Sequence, residues 1–280
     1  MADMADQTPW LHERSWPEIQ AYLARDDVAL LPVGSTEQHA RHLPVMTDAA
    51  EAIAVALGAG RKAGVLVAPP VWYGWTPHHM AYPGTITLRA ETLTAVIEDV
   101  CQSLFYHGFR RIFIVNGHRL ANLPPIEIAA VKVRNRTGGY VMLFDLALSA
   151  RVEIGAITSG RPGAVGHACE DETSQMLHSY GHLVNMREAQ RAVHPPNGRF
   201  SLAGFATVDP AVAGVNFAWA PATPQEFLAR SRPTGASGDP TLASPEKGRL
   251  IFEAQVNNLC ELIADSRRAT VTMRPFEIPL

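Results

Sequence analysis

Apolar residues along the chain follow two rhythms. Short runs that are apolar at nearly every position occupy residues 28–33, 65–69, 112–116 and 140–144, and the longer stretches between them repeat an apolar residue every third or fourth position. A half-exposed strand would alternate, so an unbroken apolar run of strand length predicts a strand covered on both faces. Such runs alternating with helical stretches predict a mainly parallel sheet inside a three-layer α/β/α sandwich. The clearest helix spans residues 91–105, where Leu93, Val96, Ile97, Val100 and Leu104 form one stripe and Gly108 follows as a stop. Another spans residues 245–265, with Ser244 placed to cap it, Pro245 at its first position, and Phe252, Val256, Leu259 and Ile263 on one face. A further helix is expected over residues 48–57, after the His42-Leu43-Pro44 turn.

From 194 to 240 the rhythm is lost and Pro, Gly, Ala and Ser dominate. A segment this long inside a compact domain is read as a structured excursion. Its Phe200, Phe205, Phe217 and Trp219 argue for packing against something, another subunit included. No repeat and no clean linker interrupts the chain, so residues 1–280 are expected to form a single domain.

Composition narrows the function. With 47% hydrophobic residues among 280, the chain can bury a sizeable core. The formal net charge of -3, with no long run of one sign, offers a nucleic acid no counter-charge. The absence of an 18-residue apolar stretch, and of basic and apolar blocks over residues 1–10, leads us to expect a cytoplasmic protein without a membrane partner. Cys101, Cys169 and Cys260 are too few and too scattered for a disulfide framework or a zinc ribbon, and are read as reduced thiols.

Candidate chemistry gathers after the first and third strands, at the edge where open α/β sheets bind ligands. In Val33-Gly34-Ser35-Thr36-Glu37-Gln38-His39, Glu37 and His39 are two apart and share a face in extended chain. A carboxylate beside an imidazole suits a divalent first-row metal. Asp48 follows nine residues later, and the intervening turn can return it to them, where one aspartate can bridge two ions. The alternative is a surface glutamate, a turn histidine and an acidic helix start. The third strand ends in Asn116-Gly117-His118, again at the ligand edge. A third cluster crowds His167, Glu170 and Glu172 at the start of a helix, as metal chemistry requires or as an acidic N-terminus would. Trp72 and Trp75 either wall a pocket or belong to the core. Cys169, beside three acids, is disfavoured as a thiolate nucleophile.

These blocks resemble the creatininase (creatinine amidohydrolase) family across most of the chain. Residues Leu31-Pro32-Val33-Gly34-Ser35-Thr36-Glu37-Gln38-His39, with His42-Leu43-Pro44 and Thr47-Asp48, are similar to its first metal motif. Tyr82-Pro83-Gly84-Thr85-Ile86-Thr87-Leu88, Asn116-Gly117-His118, the block from His167 to Ser174, and Ser237-Gly238-Asp239-Pro240 with Ser244 to Gly248 resemble the rest. The resemblance implies a two-metal hydrolase of small, often cyclic amides, typically hexameric. It implies that Glu37 and His118 hold one ion, His39 the other, and that Asp48 bridges them. The family's further glutamate, two residues after the second histidine, is Leu120 here; Glu172 is the candidate replacement, with Glu170 behind it.

Zinc or manganese fits such a ligand set best, with iron also possible. The ions would bring a water toward a neutral pKa for attack on a carbonyl, with His167 giving a proton to the departing nitrogen. His79 matches a family position near the site, and His78 is read as a bystander. Two departures bear on the substrate. Arg119 stands where small residues are usual, and either grips a substrate anion or pairs with an acid. Residues 154–166 lack the tryptophan that creatininase proper closes over its substrate, which argues against creatinine itself. The rival readings are a hydrolase of a cyclic ketone, lactone or formamide on the same metals, and a non-catalytic subunit whose ions only hold an assembly together.

Overall fold

In the computed structural model, the residues described are 8–119, 121–161, 163–193 and 221–278. Four parallel strands form the sheet: β1 (Val28–Val33), β2 (Leu66–Val67), β3 (Arg111–Asn116) and β4 (Tyr140–Asp145), in the order β2-β1-β3-β4. Every residue of β1 and β3 is buried, and alternate side chains feed two cores. Val28, Leu30, Phe113 and Val115 pack on one side with α2 (Thr47–Ala63) and the last helix, Pro245–Arg268. Leu31, Val33, Ile112 and Ile114 pack on the other with α3 (Ala90–Tyr106) and α4 (Leu123–Thr137). This is the α/β/α arrangement expected from the unbroken apolar runs. A short α1 (Trp16–Leu23) closes the edge beside β2, its Tyr22 packed with Leu66 and Phe109.

The elements differ from the sequence pattern in three places, each for a local reason. Of the run at 65–69 only Leu66 and Val67 join the ladder. Pro69 and Pro70 carry no N–H, and pairing with β1 resumes beyond them through the Val71 N–H and the Pro32 carbonyl. Helix α2 continues past residue 57 to Ala63 and stops at Gly64, which takes the left-handed conformation at φ 69°. Its internal Gly58 marks close contact with Phe252 and Val256 rather than an end. The last helix runs three residues beyond 265, capped by the Ser244 hydroxyl, which accepts from the Lys247 N–H at 3.2 Å.

The remaining elements are α5 (Leu146–Ser149), α6 (Arg151–Ile157), α7 (Glu170–Tyr180) and α8 (Pro224–Ser231), which make the Pro245–Arg268 helix α9. Most of the long excursion, 194–220 with Phe200, Phe205, Phe217 and Trp219, lies outside the described residues. The described part, from 221, contains α8. No described helix is long and apolar enough to cross a membrane.

The strand order places the ligand edge. The chain crosses from β2 on one side of β1 to β3 on the other, so β1 and β3 are neighbours whose exits lead to helices on opposite faces of the sheet. A crevice therefore opens above their carboxyl ends. The first turn of α2 drops into it. A Cβ on Gly117 would collide with the Asp48 carbonyl oxygen, and one on Gly34 with the backbone of Ala49. Both glycines permit the close approach that brings Asp48 over the sheet. Gly117→Ala is expected to destabilise the fold by at least about 1–3 kcal/mol, the usual cost of overpacking, and to displace Asp48. Urea unfolding and bound-metal content measure the two effects.

Candidate metal centre

Several elements deliver side chains to the crevice. Glu37 and His39 follow β1, and the Glu37 N–H donates to the Val45 carbonyl at 2.9 Å, closing the loop that leads to α2. His118 follows β3. Glu172 lies in the first turn of α7, and His42 ties the β1–α2 loop to that helix through Thr173 Oγ1 at 2.9 Å. His167 is held by a two-way backbone pairing with Ser237, at 3.0 and 2.9 Å. His79 ends a 3₁₀ turn, Pro77–His79. Asn122 knits the strand ends together, donating to the Gly34 carbonyl at 2.9 Å.

Asp48 is the hub. Its Oδ1 lies 3.1 Å from His39 Nε2 and its Oδ2 2.9 Å from His118 Nδ1. The Ser35 hydroxyl spans Asp48 and Glu37, at 2.9 and 2.8 Å. Glu37 Oε2 is 3.3 Å from His118 Nε2, while its Oε1 faces His79 Nε2 at 3.4 Å and His167 Nδ1 at 3.7 Å. Three sets of donor atoms fall within 4.8 Å of one another: Glu37 with Asp48 and His118, His39 with Asp48 and Glu172, and Glu37 with His39 and His167. The first two share Asp48. Glu170 is in none of them; its carboxylate is bound to Lys247 at 2.6 Å and to Ser159 at 2.9 Å. So α7 turns Glu172, rather than Glu170, toward His39 and Asp48.

The electrostatics of these side chains call for a cation. Burial works against charge on both imidazoles, yet Asp48 lifts His39 to about 10, and Glu37 with Asp48 lifts His118 to about 9. Burial also raises Asp48, but the two imidazoles beside it hold it well below the usual carboxylate range. Glu37 is pushed up to about 7, chiefly by burial. Burial, followed by the neighbouring imidazoles, drives His79 and His167 well below the ordinary histidine value. His39 Nε2 and His118 Nε2 are buried with no hydrogen-bond partner, although carboxylates stand within 3.3 Å. Ring nitrogens without hydrogen bonds, surrounded by carboxylates, are the donor set a divalent ion takes, so the residues present fit a metal.

Behind this centre lies a second buried cluster. The Arg119 guanidinium donates to Asp171 at 2.9 Å and lies 3.6 Å from both Glu172 and Glu51. Its placement supports the pairing alternative rather than a grip on substrate: the acids around it hold it charged, and its side chain is 7% exposed. The Cys169 thiol donates to the same Asp171 at 2.8 Å and is pushed well above the ordinary thiol value by burial and that carboxylate. Trp75 packs against the core under α3 and α4, and Trp72 is 42% exposed, its carbonyl accepting from Thr36. An aromatic ring that packs directly on the histidines of the centre is Phe227 of α8, with its centroid 4.3 Å from that of His79 and 6.0 Å from that of His167. His78, taken as a bystander, is buried with its ring 4.1 Å from His79.

Sequence reasoning assigned no role to Ser35, Gln38, Glu51, Asp171 or Phe227. Ser35 and Gln38 lie inside the metal motif and were open to notice. Phe227 lies in the unpatterned excursion, where the one signal was the capping box from Thr223 to Glu226 that starts α8.

Comparison with known proteins gives the family. The sequence pattern of the creatininase family, described as creatinine amidohydrolase, matches residues 12–263. The chain belongs to the creatininase family, a family of hydrolases. It is 28% identical to a creatinine amidohydrolase of Pseudomonas putida, over 90% of this chain and 95% of that one. It is equally 28% identical to a 3-dehydro-scyllo-inosose hydrolase of Thermotoga maritima (89% and 80% covered) and to a mycofactocin precursor peptide peptidase of Mycobacterium ulcerans (89% and 86%). Among solved structures, a crystal structure of creatininase superposes with a TM-score of 0.77 at 27% identity, covering 95% of this chain and all of that one. A mutant creatininase of Zn-Zn type (TM-score 0.77, 26% identity, 94% and 100% covered) and a manganese creatininase (0.75, 25%, 94% and 100%) have the same fold.

Removing the Arg119 charge leaves Glu51, Asp171 and Glu172 buried together. Arg119→Met is expected to cost about 3–5 kcal/mol of stability, as breaking a buried ion pair does. Chemical denaturation monitored by circular dichroism measures it.

Proposed function

We propose that this chain is a metal-dependent amidohydrolase that uses two divalent ions, zinc or manganese before iron, to cleave a C–N bond in a small, cyclic amide. The observation that carries this reading is the sharing of Asp48 by two donor sets. Glu37, Asp48 and His118 would hold one ion, and His39, Asp48 and Glu172 the other. Ions so held lower the pKa of a water and polarise a carbonyl.

The chain's own groups do the rest. Ser35 fixes the mutual orientation of Glu37 and Asp48. His167 presents Nδ1 to the centre, where its N–H would donate a hydrogen bond to the departing nitrogen, while the proton that nitrogen gains comes from the attacking water. Phe227 excludes water from one side of the His79 and His167 rings. His167 also keeps 15% of its side chain exposed while its neighbours are sealed, which favours a centre that admits a substrate over one that only holds an assembly together. A second reading, hydrolysis of a cyclic ketone on the same centre, is supported by the inosose hydrolase relative, which matches as well as the creatinine amidohydrolase does.

Screening zinc- and manganese-loaded protein against cyclic amides, formamides, lactones and cyclic ketones tests the bond class. Asp48→Ala should lose both ions and all turnover, whereas His167→Asn should keep its metal and lose roughly 10²–10⁴-fold in rate. Retained turnover in Asp48→Ala stripped of metal would end the proposal.

Metal binding should also release protons. His39 and His118, held at about 10 and about 9, are protonated at pH 7 and must become neutral to bind. Zinc titration in buffers of different ionisation enthalpy should show release of at least two protons at pH 7, since Glu37, at about 7, adds to the two imidazoles. Affinity should rise with pH until both values are passed.

A further inference from the structure

We propose that Gln38 is a positioning residue that sets the tautomers of His79 and His167, so that each ring carries its hydrogen on the nitrogen facing Glu37. The argument is an accounting of hydrogens around one buried amide. Gln38 Oε1 accepts from the Ala40 N–H at 3.0 Å, and its Nε2 donates to the Gly235 carbonyl at 2.9 Å. Exchanging the amide oxygen and nitrogen would set donor against donor at Ala40 and acceptor against acceptor at Gly235, so two backbone groups fix the orientation. Both lie in left-handed backbone, Ala40 at φ 57° and Gly235 at φ 81°. For alanine that conformation costs roughly 1–2 kcal/mol, so the surrounding contacts hold it there.

The same Nε2 lies 2.8 Å from His79 Nδ1 and 2.8 Å from His167 Nε2. An amide nitrogen donates and does not accept, so neither ring nitrogen can point a hydrogen at it. Both are therefore bare, and each neutral ring carries its hydrogen on the other nitrogen, His79 Nε2 and His167 Nδ1. These are the atoms that face Glu37 Oε1, at 3.4 and 3.7 Å. Two N–H groups thus converge on one oxygen of Glu37 and leave the other, Oε2, to the His118 side. Outer partners that orient a ligand in this way are part of how a metal site is tuned. Gly235 takes one amide hydrogen, and the two rings share the second. The assignment rests on the functional reading only in giving His167 an N–H that can hydrogen-bond to the departing nitrogen.

The test reads the tautomers directly. ¹⁵N-histidine NMR of zinc-loaded protein, with the two rings assigned through His79→Asn and His167→Asn, should show Nδ1–H at His167 and Nε2–H at His79. Gln38→Glu turns the donor into an acceptor, and should reverse both. A wild-type spectrum with Nε2–H at His167 or Nδ1–H at His79, or a Gln38→Glu spectrum unchanged from wild type, overturns the proposal. Should Gln38→Glu fail to fold, the wild-type spectrum alone decides. Failure of the metal reading shows separately, as absence of bound zinc, and the tautomers are then read on the zinc-free protein.

Discussion

A carboxylate buried between two imidazoles organises this molecule. Asp48 touches His39 with one oxygen and His118 with the other, and these three residues come from the exit of β1, the start of α2 and the exit of β3. Away from water an isolated carboxylate is too costly to keep ionised, so its neighbours must supply positive charge. With side chains alone that charge is protonic, which is why both imidazoles hold their protons far above the ordinary histidine range. A divalent cation meets the same demand with more charge in less volume, and the arrangement is read most economically as a place for such ions.

The sheet topology makes the contact possible. Because β1 and β3 are neighbours that lead to helices on opposite faces, the space above their ends is not covered by either connection. Gly34 and Gly117 then let α2 settle so low that its first turn enters that space. On the far side, α7 brings Glu172, and with it come the buried acids Asp171 and Glu51, which Arg119 pairs with. The pairing of His167 with Ser237 explains why a segment near the end of the chain belongs to the centre although it contributes no donor atom to it.

Relatives of nearly equal similarity that act on creatinine, an inosose and a peptide show that the family's fold serves more than one substrate. In this chain the donor atoms lie at the base of the crevice, while Phe227 of α8 packs on the His79 and His167 rings beside it. Variation there leaves the ligands in place. Loops set on a rigid scaffold are a common place for such a change of substrate.

How much of this was legible in the sequence depends on the range of the interaction. The strands and main helices were readable because burial on both faces of a parallel sheet leaves an unbroken apolar run, and burial of one helix face leaves a stripe. Glu37, His39, Asp48, His118, His167 and Glu172 were readable as candidates because short motifs place them at element ends. Which of Glu170 and Glu172 turns inward was not, since both lie in the first turn of α7 and only the packing of Lys247 and Ser159 separates them. The direction of Arg119 was equally open until Asp171 and Glu51 came within reach of it. Phe227 was hidden, because its partners His79 and His167 are far away along the chain. The sequence by itself determined which groups could do chemistry and which elements carry them; tertiary structure alone decided which groups meet, because charge compensation and ring packing act between residues that only folding brings together.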